Sequence, residues 1–133
     1  MKKDIYLPLK LRFLNHYFVV HSKIFDMAKI TVRNLFNKTI TASLEGGTIF
    51  SALQEEKIDW MHACGTKGRC TTCKFIVVKG SSNISPKNDV ELKFEAMNRL
   101  EENERLACQC SALDDITILV PESSKMPHIN YSN

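Results

Sequence analysis

Residues 61–73 read Met-His-Ala-Cys-Gly-Thr-Lys-Gly-Arg-Cys-Thr-Thr-Cys and place three cysteines, Cys64, Cys70 and Cys73, in one short segment. A further cysteine, Cys108, follows in the run Arg105-Leu-Ala-Cys-Gln109. Thiolates are the ligands of iron–sulfur clusters, and a loop that supplies three of them can enclose two irons when a distant segment supplies the fourth. The pattern therefore predicts a [2Fe-2S] centre in an electron carrier with no catalytic residues of its own.

The fifth cysteine, Cys110, lies two residues after Cys108. If this segment is extended, side chains two positions apart face the same way, so both thiols could point at the cluster. Geometry alone leaves open which of the two would be the fourth ligand.

Zinc is the main alternative metal, because sites of four cysteines often hold structural zinc and the Cys70–Cys73 pair has the C-x2-C spacing of a zinc knuckle. A zinc ribbon needs two knuckles, and Cys108-Gln-Cys110 has one intervening residue rather than two. A disulfide framework is disfavoured because the chain has an odd number of cysteines, 5. The spacing thus favours iron and sulfide over zinc.

Small residues surround the three clustered cysteines. Gly65 and Gly68 allow positive φ and a close approach of the backbone, so we expect the loop to curl and aim its N–H groups at sulfur. Thr71 and Thr72 leave room and can add hydroxyl donors.

The region before the cysteines predicts a hairpin and a short helix. Residues 30–32 and 39–44 alternate apolar with polar side chains, and Phe36-Asn-Lys38 supplies a turn between them. After two glycines, Thr48 can cap a helix that runs through Glu56 and covers the hairpin.

The region after the cysteines predicts a strand, a helix and a strand. Residues 74–79 form a β-branched run that we expect to be a mostly buried strand, and residues 81–86 a loop. Asn88 and Glu91 form a capping box for a helix that runs to about Leu100, with Val90, Phe94 and Met97 on one face. The last strand covers residues 116–120 and is stopped by Pro121. This order is typical of an α+β domain with helices on one face of a mixed sheet.

The C-x5-C-x2-C spacing, the two loop glycines, the Arg-Leu-Ala-Cys-Gln run and the closing strand together resemble the vertebrate-adrenodoxin and bacterial-type [2Fe-2S] ferredoxins, over roughly residues 28–121. The resemblance implies a β-grasp (ubiquitin-like) ferredoxin fold with a mixed sheet, one main helix and a cluster-binding loop. It also implies that the ligands of the iron–sulfur cluster are Cys64, Cys70, Cys73 and Cys108. Cys110 is then expected to be a free, largely buried thiol.

The function implied by this resemblance is that of a soluble, cytoplasmic and monomeric one-electron carrier between a ferredoxin reductase and an acceptor oxidoreductase. An alternative is a ferredoxin-like subunit, or an electron donor for iron–sulfur assembly, dedicated to one complex. A zinc-stabilised interaction module is a third possibility. The sequence has no Gly-rich nucleotide loop, so we do not expect a flavin-containing reductase.

The length of 133 residues, with 44% hydrophobic and 25% charged, is typical of one globular domain. Residues 1–26 carry five Lys and Arg against two Asp and Glu, whereas residues 27–133 carry thirteen of each. The folded part is therefore neutral before its cofactor is added, and nucleic-acid binding is not expected.

We divide the chain into an extension (1–26), a ferredoxin domain (27–121) and a polar C-terminal tail (122–133). The longest uncharged run of the extension is about ten residues, too short for a membrane span of roughly 20 residues. Its composition fits neither a secretory signal nor a transit peptide. The tail has no pattern that predicts folded structure.

One stretch of the sequence is acidic, and it lies just before Cys108. Its carboxylates are Asp89, Glu91, Glu95, Glu101, Glu102 and Glu104, against Lys93 and Arg99. The stretch is either a solvated helix face or a docking surface for a basic reductase or acceptor, where charge would chiefly raise the association rate. Ferredoxins of the adrenodoxin kind dock through acidic residues in this region.

Overall fold

The computed structural model describes residues 27–132; the predicted extension and Asn133 lie outside the described residues. The strands are β1 (Met27–Val32), β2 (Lys38–Ser43), β3 (Lys74–Lys79), β4 (Glu104–Leu106) and β5 (Ile116–Leu119), and the α-helices are α1 (Ile49–Glu55) and α2 (Asp89–Ala96). Short 3-10 turns cover Ser81–Asn83 and Glu122–Ser124. In this part of the chain, no helix is long and apolar enough to cross a bilayer.

The predicted hairpin is confirmed. β1 and β2 pair antiparallel from Met27 opposite Ser43 to Val32 opposite Lys38. Phe36 and Asn37 make the turn in the left-handed region, with φ of +58° and +55°. The alternation seen in the sequence gives the strands one buried face, which packs into the core.

The five strands form one mixed sheet in the order β2-β1-β5-β3-β4. β1 and β5 run parallel, with Ile30 opposite Ile116, and the other neighbouring strands are antiparallel. The short strand β4 was not predicted. It pairs with β3, with Lys74 opposite Leu106, and so lies directly before the Cys108 segment.

The strand β3 is less buried than the sequence predicted. Phe75 is fully buried, whereas Ile76, Val77 and Val78 are half-buried and Lys79 is exposed. An antiparallel strand covered mainly on one face buries alternate residues, and composition alone does not reveal which face is covered.

The helix α1 begins where the sequence predicted it. Thr48 is the N-cap, its side chain accepts a hydrogen bond from Ser51 N, and the Ser51 side chain bonds back to the Thr48 backbone. Ile49, Phe50, Ala52 and Leu53 are buried and form a core with the inner face of the sheet.

The helix α2 begins as predicted but ends earlier. Asn88 and Glu91 form the expected capping box, and the helix stops at Ala96 rather than near Leu100. The cause is Asn98, whose φ of +58° closes the helix, with Asn98 N donating to Glu95 O and Arg99 N to Phe94 O.

This early end changes the predicted apolar face. Phe94 is buried, Val90 is half-buried and Met97 is exposed, so the expectation that Met97 shares the apolar face is wrong. Met97 is the C-cap residue, and the chain turns away from the helical path at the next position.

The C-terminal tail, for which no folded structure was predicted, packs on the domain through residue 132. Ser132 N donates to Asn34 O at 2.8 Å, and Phe36 N donates to Ser132 Oγ at 2.9 Å. Tyr131 packs against the core, and its hydroxyl accepts from Met126 N at 3.0 Å. These contacts connect the tail to the turn after β1.

Candidate metal centre

The segment that carries the first three cysteines is a curled loop between α1 and β3. Gly65 and Gly68 adopt the predicted positive φ, +67° and +71°, and Thr66 between them has a φ of +69°. The Ala63 N–H donates to Thr72 Oγ1 at 2.8 Å, which holds the two sides of the loop together. This curvature turns the backbone inward toward the thiols.

The sheet brings Cys108 to this loop. Cys73 directly precedes β3 and Cys108 lies two residues after β4, so the pairing of these two strands places the cysteines side by side. Their sulfurs are 3.4 Å apart, with Cys73 1% and Cys108 8% exposed.

Hydrogen bonds from other elements hold the Cys108 segment in place. The first N–H groups of α1, which have no partner within the helix, donate to this segment, Phe50 N to Ala107 O at 2.8 Å and Ile49 N to Cys110 O at 2.9 Å. The indole of Trp60 donates to Cys73 O at 2.9 Å. Core elements on both sides therefore help to position Cys73 and Cys108.

The other two cysteines form a second pair. Cys64 and Cys70 are half-buried and lie close enough for the Cys70 side chain to influence the Cys64 thiol. Thr72 Oγ1 lies 3.2 Å from Cys70 Sγ, and because this oxygen already accepts from a backbone N–H, its own proton can be donated to the sulfur. Thr72 thus lies where it can act as the hydroxyl donor that the sequence predicted.

The two pairs fit a cluster with two irons. In a four-cysteine [2Fe-2S] site each iron takes two thiolates, whereas structural zinc draws four ligands to one point. The donor set and its division into pairs therefore suit iron–sulfur better than zinc.

Several hydrogen bonds in the loop stabilise thiolates. The Cys73 thiol lowers the pKa of Cys108 to about 6, against the effect of burial, with help from the Gln109 side chain and the Gly68 backbone. Partial burial acts to raise the pKa of Cys64, but backbone N–H groups of Arg69 and Lys67 and the Cys70 contacts lower it to about 7. The hydrogen bond that Cys73 donates to Cys108 and burial raise the pKa of Cys73.

Cys110 has a different environment. It is buried as predicted, at 1% exposure, and its thiol donates to Leu106 O at 3.2 Å. Burial, followed by the charge of Glu91, raises its pKa, which disfavours the thiolate that a metal requires.

Sequence reasoning missed Gln109 and the second role of Asn88. Gln109 Nε2 donates to Cys108 Sγ at 3.4 Å, and Asn88 Nδ2 donates to Gln109 Oε1 at 2.9 Å. Gln109 directly follows Cys108 in the sequence, and this adjacency was the only indication that its side chain could contact the sulfur. Asn88 was identified only as a helix cap, since nothing local connects it to a residue 21 positions away.

Two of the six acidic residues assigned to a docking surface were assigned wrongly. Glu91 is fully buried and Glu104 is only 7% exposed, so neither can meet a partner. Glu91 pairs with Arg105, and Glu104 pairs with Lys74 and accepts from Glu101 N. The other four, Asp89, Glu95, Glu101 and Glu102, lie at least partly at the surface.

Comparison with known proteins agrees with this geometry. A family model described as a 2Fe-2S iron-sulfur cluster binding domain matches residues 34–113. The chain is 34% identical over 103 residues to the 2Fe-2S ferredoxin-5 of Aquifex aeolicus, covering 71% of this chain and 100% of the relative. The chain therefore belongs to the [2Fe-2S] ferredoxin family: it carries a [2Fe-2S] cluster and serves in electron transport.

A second relative is a longer protein, of which this chain matches only a part. The chain is 34% identical over 101 residues to one subunit of the Na(+)-translocating NADH-quinone reductase of Neisseria meningitidis, covering 76% of this chain. It spans about a quarter of that relative's length, 24%.

Solved structures confirm the predicted β-grasp ferredoxin fold. The ISC-like [2Fe-2S] ferredoxin of Pseudomonas putida aligns with a TM-score of 0.55 and 27% identity, covering 72% of this chain and 92% of that one. The ferredoxin reductase of carbazole 1,9a-dioxygenase aligns with a TM-score of 0.59 and 23% identity, over 77% of this chain and 30% of that one. At that identity the second comparison supports the fold alone.

Proposed function

We propose that Cys64, Cys70, Cys73 and Cys108 hold the cluster, and that the chain passes single electrons from a ferredoxin reductase to an acceptor oxidoreductase. The observation that carries this assignment is the approach of Cys108 Sγ to within 3.4 Å of Cys73 Sγ, beside the Cys64–Cys70 pair. When bound, the cluster supplies a site that accepts and releases one electron without any change in covalent bonds.

The chain's own residues prepare this site. Backbone N–H groups of the loop, including that of Gly68, stabilise sulfur charge. Cys73 and Cys108 lie on the buried side of the site. The half-exposed Cys64–Cys70 side leaves the centre close to solvent, where a partner can approach it. Such a division suits an electron carrier, which must protect its centre and still exchange electrons.

We assign the electron-transfer unit to residues 27–121, with residues 1–26 as a separate extension. All five strands and the four proposed ligands lie within 27–121. The tail, residues 122–132, supports this unit from outside through Tyr131 and Ser132. We place the protein in the cytoplasm as a monomer, the setting of a diffusing carrier.

The reductase or acceptor docks, in this proposal, on an acidic surface formed by Asp89, Glu95, Glu101 and Glu102. Glu101 and Glu102 are exposed and adjacent, just before β4. Glu95 is partly neutralised by Lys87, and Arg99 lies over the Phe94 ring, 5.3 Å from its centroid. Of the four, Glu95 is therefore the least available to a basic partner, and Glu101 and Glu102 are two adjacent carboxylates that remain exposed.

A component dedicated to one complex is the second candidate, and one observation favours it: the match to part of a larger NADH-quinone reductase. The match to ferredoxin-5 extends over that protein's whole length, which favours a separate carrier. Co-purification of the tagged chain decides between them. A stable stoichiometric complex that survives high salt supports a dedicated component, and a free carrier with weak, salt-sensitive partners supports a shuttle.

The cluster assignment is tested on the full chain by measuring iron, acid-labile sulfide, zinc and visible absorption. We expect two irons and two sulfides per chain, and a brown colour that bleaches reversibly on reduction. Stoichiometric zinc in a colourless and fully folded protein that cannot be reconstituted with iron and sulfide would overturn the proposal.

A further inference from the structure

The side chain of Gln109 lies between the cysteine loop, α2 and Cys108. Its Nε2 donates to Cys108 Sγ at 3.4 Å, and its Oε1 accepts from Asn88 Nδ2 at 2.9 Å. Asn88 Nδ2 also lies 3.3 Å from Gln109 O. The amide thus has a defined partner at each end.

The backbone N–H of Glu91 determines the orientation of the Gln109 amide, through Asn88. Asn88 is the N-cap of α2, and its Oδ1 accepts from Glu91 N at 2.9 Å. A backbone N–H can only donate, so the Asn88 oxygen must face it and the Asn88 amide nitrogen must face Gln109. Gln109 then has to present its oxygen to Asn88, which leaves its nitrogen facing the sulfur.

The cysteine loop leaves room for this arrangement at Gly68. A Cβ at position 68 would lie 3.0 Å from Gln109 Nε2 and 3.3 Å from Val90 Cγ1. Gly68 also has a φ of +71°, so glycine is favoured there on two grounds. The loop, the helix cap and the Cys108 segment therefore meet at the Gln109 amide.

We propose that Gln109 raises the reduction potential of the centre by donating N–H to Cys108, and that Asn88 is a positioning residue that holds the amide in the donating orientation. The inference rests on the proposed role of Cys108 as a ligand. Reduction adds one negative charge to the centre, and a donor aimed at a ligand sulfur stabilises the more negative state more strongly. A reversed amide would present oxygen to the sulfur and have the opposite effect.

The test uses the full chain with its cluster and two substitutions. Gln109→Met removes the donor while keeping an unbranched side chain of similar length. Asn88→Ser keeps a side-chain oxygen that can cap α2, but removes the amide that orients Gln109. Asn130→Leu is the control, because Asn130 is an exposed amide in the C-terminal tail. The midpoint potential is measured by spectroelectrochemical titration, with iron and sulfide content as the measure of loading.

We expect Gln109→Met to lower the equilibrium constant for reduction by up to tenfold, which is about 59 mV for one electron. Asn88→Ser should shift the potential in the same direction, and the double variant should match Gln109→Met, since Asn88 acts through Gln109. Asn130→Leu should leave the potential unchanged. A merely structural role for Asn88 would give additive shifts.

An unchanged potential in fully loaded Gln109→Met, or additive shifts in the double variant, would overturn the inference. If Gln109→Met does not hold a cluster, the midpoint potential of Asn88→Ser alone tests the inference, because this variant leaves residues 108 and 109 intact. An unchanged potential there also overturns the inference. Failure of the proposed function would be visible separately, as a wild-type protein without iron and sulfide or as a normal cluster in Cys108→Ser.

Discussion

Arg105 and Glu91 form a buried, bidentate ion pair, with Arg105 Nε 2.8 Å from Glu91 Oε2 and Arg105 Nη2 2.9 Å from Glu91 Oε1. The Glu91 carboxylate also accepts from Leu106 N at 3.0 Å, and Arg105 Nη2 donates to Ser85 O at 2.7 Å. The pair fastens α2 to β4, three residues before Cys108. A carboxylate that looked like part of an acidic surface is therefore a structural element of the metal centre.

The first prediction concerns this ion pair. Glu91→Ala should lower the free energy of unfolding by about 3–5 kcal/mol, because it leaves the Arg105 charge buried and unpaired. Urea unfolding followed by circular dichroism, together with the rate of cluster loss, measures the effect. Glu122→Ala, which removes the exposed partner of Lys125, is the control and should cost no more than about 1 kcal/mol. Equal effects of the two substitutions would contradict the importance of the buried pair.

The second prediction separates the two neighbouring cysteines. Cys108→Ser should abolish stable cluster assembly, since its sulfur is a proposed ligand. Cys110→Ser should keep a reducible [2Fe-2S] centre, because a serine hydroxyl can replace the thiol as a donor to Leu106 O. Visible absorbance per chain after reconstitution measures both, and an equal loss in the two variants would show that the assignment is wrong.

The third prediction tests the acidic surface. Replacing Glu101 and Glu102 by Lys should slow reduction by a basic partner mainly through the association rate, and added salt should reduce the difference. Stopped-flow rates against ionic strength measure this. Glu55 and Glu56, exposed at the end of α1, give the matched double reversal, which should have a smaller effect. If the two double variants behave alike at low salt, the docking surface lies elsewhere.

The fourth prediction concerns the extension. A chain that begins at Met27 should fold and bind its cluster as the full chain does, because it retains β1 from the Met27–Ser43 pair onward. Cluster content and the midpoint of thermal unfolding are compared between the two chains. Insoluble or cluster-free protein would show that residues 1–26 contribute to the domain.

The fifth prediction concerns the tail. A chain that ends at Lys125 should lose about 2 kcal/mol of stability, from the partly buried Tyr131 ring and the hydrogen bonds of Ser132. Tyr131→Phe keeps the ring and loses the hydroxyl that accepts from Met126 N, so it should cost less. Urea midpoints order the three proteins, and a shortened chain as stable as the full one would mean that the tail contacts contribute nothing.

Features that depend on neighbouring residues could be predicted from the sequence. The caps at Thr48 and Asn88 form within three residues, because a side-chain oxygen meets a nearby backbone N–H. The positive φ of Gly65 and Gly68 follows from the absence of a Cβ. The early end of α2 was missed because Asn98, rather than a glycine, takes the left-handed position.

Cysteine spacing predicts the class of centre, and caps and turns predict the local elements, because these features act over a few residues. The β-grasp fold was implied by the resemblance to known ferredoxins and not by any one of these patterns. The resemblance implied that Cys73 and Cys108 share a cluster, but only the packed structure shows that their sulfurs lie 3.4 Å apart. It also shows that Glu91 is buried while Glu101 is exposed, and that Gln109 faces a sulfur. These relationships join residues far apart in the chain. Burial and pairing depend on which strands and helices pack together, and that is set by the whole core rather than by any one segment.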